Sequence, residues 1–436
     1  DRALRVLVYS RTLGYRHDSI EPAIAALRAQ APARRWTITA TEDPSSFDDA
    51  VLSATDAVVF LSTSGDVLEP EGEAALERFV RGGGGWVGVH AASDTEYDSA
   101  FYGELVGAWF RVHPPIQPAT LRVERTLHPA TLGLPELWTR TDEWYSFRTN
   151  PRATVNVLLS LDEASYAPGA GAMGDHPVAW YHGVGRGRAL YTALGHTTES
   201  WSDPAVLDHI AGAIDWAGGR ADPDLLLAEL DGTTDPGPWV ALEGSGPFPF
   251  TVTRDALLMT DVAGQNQHVL REGVTVAAGE RYAIEGLFRV HGDGASTPTL
   301  NSFCFDLGVP GGAGALSPPS TWAMNLDARS DGTGGVMKHM GFLAGSFREI
   351  GQTAAPWARR ETEYLLRVEV GTAADGTAHP SSVRATVLEA GVLRERFTVD
   401  YAAFPFQPEP GEPLRLGVNT HGTDFTLRSL RARRQR

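Results

Sequence analysis

Apolar and polar residues alternate differently in the two halves of the chain, and the change falls near residue 220. Before it, short apolar runs alternate with segments of helical period, which is typical of a parallel sheet covered by helices. The runs predict strands at Leu4–Ser10, Trp36–Ala40, Ala57–Ser62, Trp86–Ala91, Val178–Tyr181 and Arg188–Leu194. The segments between them predict helices at Pro22–Gln30, Glu71–Arg81 and Pro204–Ala217. This half is therefore predicted to have an α/β fold.

From Trp239 onward the runs are short and alternating, and Gly, Pro and Asp separate them, which predicts an antiparallel β-sandwich. Its predicted strands are Tyr282–Val290, Thr299–Leu307, Trp322–Leu326, Glu363–Val370, Val383–Glu389, Leu414–Val418 and Phe425–Ala432. Residues 220–238 are rich in Asp, Gly and Pro, as linkers are. We therefore predict one domain over residues 1–219, a linker over 220–238 and a second domain over 239–436.

Composition and charge narrow the possible partners. Hydrophobic residues make up 42% and charged residues 21% of the 436 positions, as in a folded globular protein. The net charge of −17 disfavours nucleic acid as a partner, and no apolar run is long enough to suggest a membrane span. The chain begins with Asp1 rather than Met, so we predict a processed protein that is secreted or extracytoplasmic, with the cytoplasm as the alternative.

Three histidines follow predicted strands whose carboxyl ends meet at one edge of the sheet. His17 lies in the loop after the first strand, His90 ends the run GGWVGVH, and His196 closes ALYTALGH. Ligands of open parallel sheets bind at this edge, so we expect the three imidazoles to form a site, with Glu143 as a possible fourth group. Imidazole and carboxylate suit a divalent metal such as zinc, and they equally suit acid/base catalysis. The sequence leaves both uses open.

Two other kinds of site are disfavoured. The turn where an α/β enzyme would place its nucleophile contains His90 and Ala91, with neither Ser nor Cys, so an acyl-enzyme mechanism is not expected. The glycine run at residues 82–85 ends a predicted helix and leads into a strand, the reverse of a phosphate cradle, so no nucleotide cofactor is expected. Asp94, just downstream, either caps the following segment or takes part in catalysis.

Taken together, motifs over residues 3–218 resemble the ThuA-like, or trehalose-utilisation, family, which has a class I glutamine amidotransferase-like, flavodoxin-like fold. The likeness rests on VLVY at 6–9, Arg16-His17, GGWVGVH at 84–90, His113-Pro114, HPAT at 128–131, Asp142-Glu143, GRGR at 185–188 and Leu194-Gly195-His196. The family lacks the amidotransferase cysteine, as this chain does, so glutamine hydrolysis is not expected. The segment LRLGVNTHGTDF at residues 414–425 is similar to concanavalin-like jelly rolls of 3-keto-disaccharide hydrolase-like and carbohydrate-binding domains.

The resemblance implies carbohydrate chemistry, because the family is associated with breakdown of disaccharides and glycosides, often alongside oxidoreductases that make 3-keto sugars. We therefore expect an enzyme that cleaves a glycosidic bond of a 3-keto glycoside with help from a divalent metal, by hydrolysis or elimination. His17, His90 and His196 would surround the metal or the reacting oxygen, with Glu143 as ligand or base. The residues expected to bind substrate are Asp94, His113, Glu199 and Trp201.

This chemistry needs no strong nucleophile. A ketone at C3 acidifies the C2 proton, so a histidine can remove it, and loss of the C1 substituent follows. Two alternatives stay open. One is a metal-independent glycosidase that draws a carboxylate pair from Glu143, Asp94 and Glu199. The other is a non-catalytic protein that binds oligosaccharide by aromatic stacking.

Overall fold

The computed structural model describes residues 3–220 continuously and most strands of the remainder. The described ranges after residue 220 are 226–230, 239–241, 249–253, 256–260, 266–271, 281–291, 302–308, 321–328, 335–343, 346–372, 380–400, 415–421 and 424–435. The chain divides into two compact units, Asp1–Ala221 and Asp222–Arg436. No helix among the described residues is long and apolar enough to cross a bilayer.

The first unit combines a large sheet with helices. Its elements are β1 (Leu4–Tyr9), α1 (Ile20–Arg34), β2 (Trp36–Thr41), α2 (Asp49–Ser53), β3 (Ala57–Leu61), α3 (Pro70–Arg81), β4 (Gly85–Val89), α4 (Ala100–Val106), β5 (Phe110–Val112), β6 (Gln117–Val123), β7 (Leu137–Asp142), β8 (Ser146–Phe147), β9 (Asn156–Leu161), β10 (Pro177–Val184), β11 (Gly187–Thr192) and α5 (Pro204–Ala217). Nine strands form one sheet in the order β2-β1-β3-β4-β11-β10-β9-β6-β7, and β5 pairs with β8.

The sheet is mixed rather than wholly parallel. Strands β2, β1, β3, β4 and β11 run parallel, and β11, β10, β9, β6 and β7 are joined by antiparallel pairs. The α/β fold predicted for this half is confirmed, and each strand and helix predicted there overlaps an observed element. Strand β2 pairs with one side of β1, and the chain then crosses back so that β3 pairs with the other side of β1. This reversal of strand order opens a crevice at the carboxyl edge of the parallel strands.

The core surrounds the central parallel strands. All five residues of both β3 and β4 are buried, which agrees with a sheet covered on two faces. Tyr9, Phe60 and Trp86 are fully enclosed among them. Gly88 leaves room for the Trp86 indole, because a Cβ at Gly88 would lie 2.2 Å from Cη2 of that ring. These contacts hold the strand ends that carry the histidines.

The sequence pattern did not predict the antiparallel part of the sheet beyond β10. Strands β6 and β7 alternate buried and exposed residues and contain no continuous apolar run. Their polar positions face away from the core, which is permitted in antiparallel sheets with one solvated face. This part of the sheet matters for the site, because Glu143 directly follows β7.

The second unit is an antiparallel β-sandwich of jelly-roll type, as predicted. Its described strands are β12 (Leu226–Leu230), β13 (Trp239–Ala241), β14 (Phe250–Val252), β15 (Ala256–Met259), β16 (Asn266–Arg271), β17 (Arg281–Val290), β18 (Ser302–Gly308), β19 (Thr321–Ala328), β20 (Gly335–Leu343), β21 (Ser346–Ala355), β22 (Glu363–Thr372), β23 (Pro380–Glu389), β24 (Val392–Asp400), β25 (Arg415–His421) and β26 (Phe425–Gln435). Among the described residues they form one sheet of eight strands and one of seven.

Part of the predicted linker is instead a strand. Within residues 220–238, β12 pairs antiparallel with β26, and Leu230 is fully buried. The sequence LLAEL is apolar enough to favour a strand, although the residues around it have linker composition. The remaining predicted linker residues, 221–225 and 231–238, lie outside the described residues, as do 299–301 and 414 at the starts of two predicted strands.

Candidate functional site

The structure brings the three predicted histidines and Glu143 together at the carboxyl edge of the parallel strands. His17 lies in the loop between β1 and α1, His90 directly follows β4, and His196 lies after β11. One potential ligand atom from each of these histidines and from Glu143 lies within 4.8 Å of all the others. We call these four residues the histidine centre. His17, His90 and Glu143 are buried, and His196 is partly buried.

The donor atoms of the histidine centre are closely spaced. His196 Nδ1 lies 3.0 Å from His90 Nε2 and 3.1 Å from Glu143 Oε2. His90 Nε2 lies 3.5 Å from Glu143 Oε2. The ring centroid of His17 lies 4.7 Å from that of His90 and 5.1 Å from that of His196. Three nitrogen-bearing rings and one carboxylate therefore converge on one small volume.

This arrangement fits a divalent transition metal. Ligand bonds of about 2.0–2.1 Å in tetrahedral geometry place neighbouring donor atoms about 3.3 Å apart, close to the observed spacings. His17 Nδ1 is buried with no hydrogen-bond partner in the part of the chain that the structure describes. His90 donates its Nδ1 proton to the Ala193 carbonyl at 2.8 Å, which turns the lone pair of Nε2 towards the centre. Imidazole with one carboxylate is a donor set typical of zinc and related ions.

The backbone at His90 is strained. Its φ is +53°, in the left-handed region that non-glycine residues seldom occupy. The conformation lets the chain turn sharply from β4 into the short 3₁₀ helix His90–Ser93. The buried Tyr191 hydroxyl donates to the His90 carbonyl at 2.8 Å, which helps to hold the turn. Strain of this kind is often retained at functional sites because it aims a side chain that an ordinary backbone would not.

Asp142 holds the loop that carries His196. The sequence analysis assigned Asp142 no role beyond its place in the family motif. Its buried carboxylate accepts hydrogen bonds from the backbone N–H of Gly195 at 3.0 Å and of His196 at 3.2 Å. Ser200 Oγ donates to it at 3.3 Å, and Arg140 Nη2 lies 3.4 Å away. Asp142 therefore orients the loop that carries His196. The only signal in the sequence was its position beside Glu143.

Burial and mutual contact shift the protonation of the centre. Burial, with smaller effects of His90 and His196, lowers the pKa of His17 to about 3, so this imidazole is neutral at physiological pH. For Glu143, burial alone would raise the pKa, but the hydrogen bond from His196 and the proximity of His90 outweigh it and hold the pKa far below its usual range. For His196, burial acts to lower the pKa, but the hydrogen bond to Glu143 outweighs it and raises the pKa.

His113 and Tyr145 line the outer side of the centre. His113 Nδ1 lies 3.0 Å from Glu143 Oε1 and 3.0 Å from the Pro114 carbonyl oxygen. Because both neighbours only accept hydrogen bonds, Nδ1 carries the proton and Nε2 has the free lone pair. The imidazole of His113 is 40% exposed. The Tyr145 ring packs 4.2 Å from the His90 ring and 4.3 Å from Phe110.

The other residues predicted to bind substrate, Asp94, Glu199 and Trp201, are not among the four residues of the histidine centre. Trp201 is buried, and its Nε1 donates to the Gly195 carbonyl at 3.1 Å, so it supports the His196 loop instead of offering a stacking surface. Glu199 is exposed and is not part of the histidine centre. Asp94 accepts a hydrogen bond from the Tyr97 hydroxyl at 2.6 Å rather than capping a helix, and Ser99 caps α4 instead. Tyr145 is the site residue that the sequence analysis missed, because an aromatic residue two positions after Glu143 carries no distinctive spacing.

Several comparisons place the first unit among known proteins. Residues 5–217 match the family model ThuA, described as trehalose utilisation. A thua-like protein from Bacteroides uniformis is 23% identical, with 50% of this chain and 91% of that chain covered and a TM-score of 0.44. A thua-like protein from Parabacteroides merdae is 17% identical, with coverages of 53% and 95% and a TM-score of 0.43.

A further structural match has lower similarity. The exoplasmic/lumenal domain of VIP36, in a Ca2+/Man-bound form, is 12% identical, with coverages of 44% and 82% and a TM-score of 0.31. No curated protein sequence matches the chain. The family-model match spans the elements from β1 to α5 and contains all four residues of the histidine centre. The amino-terminal half of this chain therefore belongs to the ThuA, or trehalose-utilisation, family.

Proposed function

We propose that the first unit is a metal-dependent enzyme that cleaves the glycosidic bond of a 3-keto glycoside. The family description, trehalose utilisation, supports a carbohydrate as the substrate class. The observation that carries the proposal is the convergence of three imidazoles and one carboxylate within 4.8 Å at the ligand-binding edge of the sheet. His17, His90, His196 and Glu143 would hold the metal. Once bound, the metal would supply stabilisation of negative charge on the ketone oxygen.

His113 is suited to accept the substrate proton. Its Nδ1 proton is directed at Glu143 Oε1 and the Pro114 carbonyl, which leaves Nε2 as the acceptor. A carboxylate that fixes the tautomer of a histidine in this way also stabilises the imidazolium formed when Nε2 takes a proton. In the proposed reaction His113 Nε2 removes the C2 proton next to the ketone. Glu143 thereby links the base to the rest of the centre.

In the proposed reaction Tyr145 is the proton donor, because its ring packs against that of His90 at the centre. Burial, together with the nearby Glu143 charge, raises the pKa of its hydroxyl, so the phenol keeps its proton at physiological pH. The C2–H electron pair becomes the C1–C2 double bond as the C1–O bond breaks, and Tyr145 protonates the departing oxygen. Addition of water across that double bond then completes hydrolysis. Proton and electron counts balance without an oxidant or a nucleophilic side chain.

The arrangement supports the alternatives less well. A carboxylate-pair glycosidase needs two carboxyl groups facing one bond, and Glu143 is the one carboxylate in the described centre. A protein that only binds carbohydrate would have no need of a buried histidine with lowered pKa beside two others. Each alternative nevertheless predicts a distinct experimental result.

Metal content and cleavage together test the proposal. The full chain, His17→Ala, His196→Ala and a control, His182→Ala, would be purified and their metals measured by mass spectrometry. His182 is a suitable control because it lies in β10 and bonds the Glu104 carbonyl at 2.8 Å, away from the histidine centre. We expect the wild type and the control to bind one divalent ion per chain. The two centre variants should bind much less.

Cleavage assays would use trehalose and its 3-keto derivative, with and without a chelator. We expect the wild type to cleave only the keto sugar, and we expect the chelator to abolish cleavage reversibly. Chelator-resistant cleavage of unoxidised trehalose would favour the carboxylate pair. Saturable sugar binding without turnover of either substrate would favour a binding protein. Chelator-resistant cleavage and binding without turnover would each contradict the proposal.

A further inference from the structure

The loop between β1 and α1 exposes apolar side chains beside the histidine centre. Tyr15 is 66% exposed and Leu13 is 59% exposed, although His17, two residues further on, is buried. The Tyr15 ring contributes little apolar burial to the stability of the fold, because most of it remains in water. An exposed aromatic side chain at the mouth of a polar site is instead suited to contact a ligand.

The Tyr15 ring lies directly against the centre. Its centroid is 4.8 Å from that of His17, with the two planes at 81°. His17 in turn packs edge-on against His90 and His196. Tyr15 therefore lies on the solvent side of His17, next to the histidine centre but not part of it. It is placed to contact a ligand that extends outward from the centre on this side.

Hydrogen bonds to the segment after β3 hold the loop between β1 and α1 in place. Leu13 N–H and Gly14 N–H donate to the Ser64 carbonyl at 2.7 and 3.1 Å, and Ser64 Oγ donates to the Tyr15 carbonyl at 2.7 Å. Arg16, the next residue, forms an ion pair with Glu42 at 2.9 Å. Since the backbone on either side of Tyr15 is held by these contacts, the loop backbone loses little conformational entropy when a ligand binds.

We propose that Tyr15 is a substrate-binding platform on which one sugar ring of the glycoside stacks, while the neighbouring ring reaches the histidine centre. This inference rests on the proposed function. The C–H face of a pyranose is apolar and has the size of an aromatic ring, whereas its hydroxyls point outward to water. Stacking of the two faces removes apolar surface from water and leaves the hydroxyls solvated. The platform therefore selects substrates with a second ring beyond the cleaved bond.

The proposal predicts that the aromatic face, not the hydroxyl, carries the interaction. Variants Tyr15→Ala, Tyr15→Phe and Tyr15→Trp of the full chain distinguish the two. Leu137→Ala is a matched control, because Leu137 is 57% exposed but begins β7, at the opposite end of that strand from Asp142. Each protein would be titrated with trehalose by calorimetry and assayed with 3-keto-trehalose. Metal content would be measured in parallel to show that the centre is intact.

We expect Tyr15→Ala to raise the Kd for trehalose and the KM for the keto sugar about tenfold, with kcat changed less than about twofold. Tyr15→Phe, Tyr15→Trp and Leu137→Ala should leave both constants within about twofold of the wild type. Unchanged binding by Tyr15→Ala, or an equal loss in Tyr15→Phe, would overturn the platform while wild-type cleavage still supports the proposed function. A wild type that neither binds nor cleaves either sugar would overturn both.

Discussion

At the scale of single residues, the histidine centre depends on how its side chains are oriented. His90 points inward because its backbone is left-handed and its Nδ1 proton is held by the Ala193 carbonyl. His196 points inward because Asp142 accepts hydrogen bonds from the loop backbone around it. Metal ligands are commonly oriented by such outer contacts, and loss of one weakens metal binding even though the ligand itself remains.

Asp142→Asn tests this supporting role. The amide keeps the size of the carboxylate but loses its charge and one accepting oxygen, so one of the N–H groups of Gly195 and His196 loses its acceptor, and Arg140 loses its nearby charge. We expect divalent-metal affinity to fall about 10- to 100-fold while the chain still folds. Competition titration with a fluorescent zinc chelator would measure the loss, and circular dichroism would check the fold.

The matched control for this prediction is Asp49→Asn. The Asp49 carboxylate is 70% exposed and pairs with Arg78 on the surface. Metal affinity of the control should equal that of the wild type. Wild-type affinity in Asp142→Asn would show that the loop around His196 is held by other contacts.

Residue-scale prediction from the sequence succeeded where a side chain directly follows an apolar strand. His90 follows β4, and His17 and His196 lie in the loops after β1 and β11, so the sheet topology alone brought them to one edge. Asp142 and Tyr145 lie within two residues of Glu143, and their roles depend on contacts with residues more than fifty positions away. Local sequence patterns do not predict such long-range contacts.

At the scale of elements, α5 packs unusually close to the HPAT segment at residues 128–131. Gly212 of α5 allows the approach, because a Cβ there would lie 2.2 Å from the Pro129 carbonyl oxygen. One turn earlier in the same helix, His209 Nδ1 donates to the Ala130 carbonyl at 2.7 Å. Burial lowers the pKa of His209 to about 4, so this imidazole stays neutral while it makes the contact. The segment that contributes to the family resemblance is thus a packing motif.

Gly212→Ala should therefore destabilise the first unit. Alanine improves intrinsic helix stability by about 1 kcal/mol, but the new methyl overlaps the rigid backbone of the facing segment, and overpacking costs about 1–3 kcal/mol. Cβ contacts at 2.2 and 2.5 Å require the backbone to move, so the overpacking cost should lie at the upper end of its range, and we expect a net loss of about 2 kcal/mol. Urea denaturation followed by tryptophan fluorescence would measure it.

Asp208→Ala provides the comparison on the same helix. Its carboxylate is 64% exposed and pairs with Arg34 at 2.8 Å, so its loss should change stability by less than about 0.5 kcal/mol. Equal or greater stability of Gly212→Ala would show that α5 and the HPAT segment separate readily.

The sequence predicted an element more readily when its hydrophobic period was long and regular. Helices α1, α3 and α5, each with at least twelve residues, were predicted, whereas the seven-residue α4 was not. The central strands β1, β3, β4 and β11 were recognised as apolar runs, whereas the buried strand β9 was not. Strands β6 and β7, which alternate buried and exposed positions near the edge of the sheet, lacked that signal.

At the scale of the whole molecule, the two compact units predict two separable unfolding events. All four residues of the histidine centre belong to the first unit, so a bound metal stabilises that unit alone. A ligand at 100 times its Kd adds about 2.7 kcal/mol to the folded state. For a unit of this size, that corresponds to a rise in Tm of about 5–10 °C.

Scanning calorimetry of the full chain with zinc and with a chelator tests this expectation. One transition should move with the metal and the other should stay. In His196→Ala the first transition should no longer respond, because one of the four ligands is lost. Equal shifts of both transitions in the wild type, or a shift retained in His196→Ala, would contradict a metal site confined to the histidine centre.

The sequence by itself determined the fold class of each half, because hydrophobic period depends only on neighbouring residues and on the face they bury. It also determined that three histidines would gather at one edge, because parallel strands place their carboxyl ends together. The sequence offered Glu143 as a possible fourth group, and the structure places it with the three histidines. Tertiary structure alone decided that Asp142 orients His196, and that Trp201 is enclosed while Tyr15 is exposed. These outcomes depend on distances between segments far apart in the chain, which are set only when the sheet and its loops have packed.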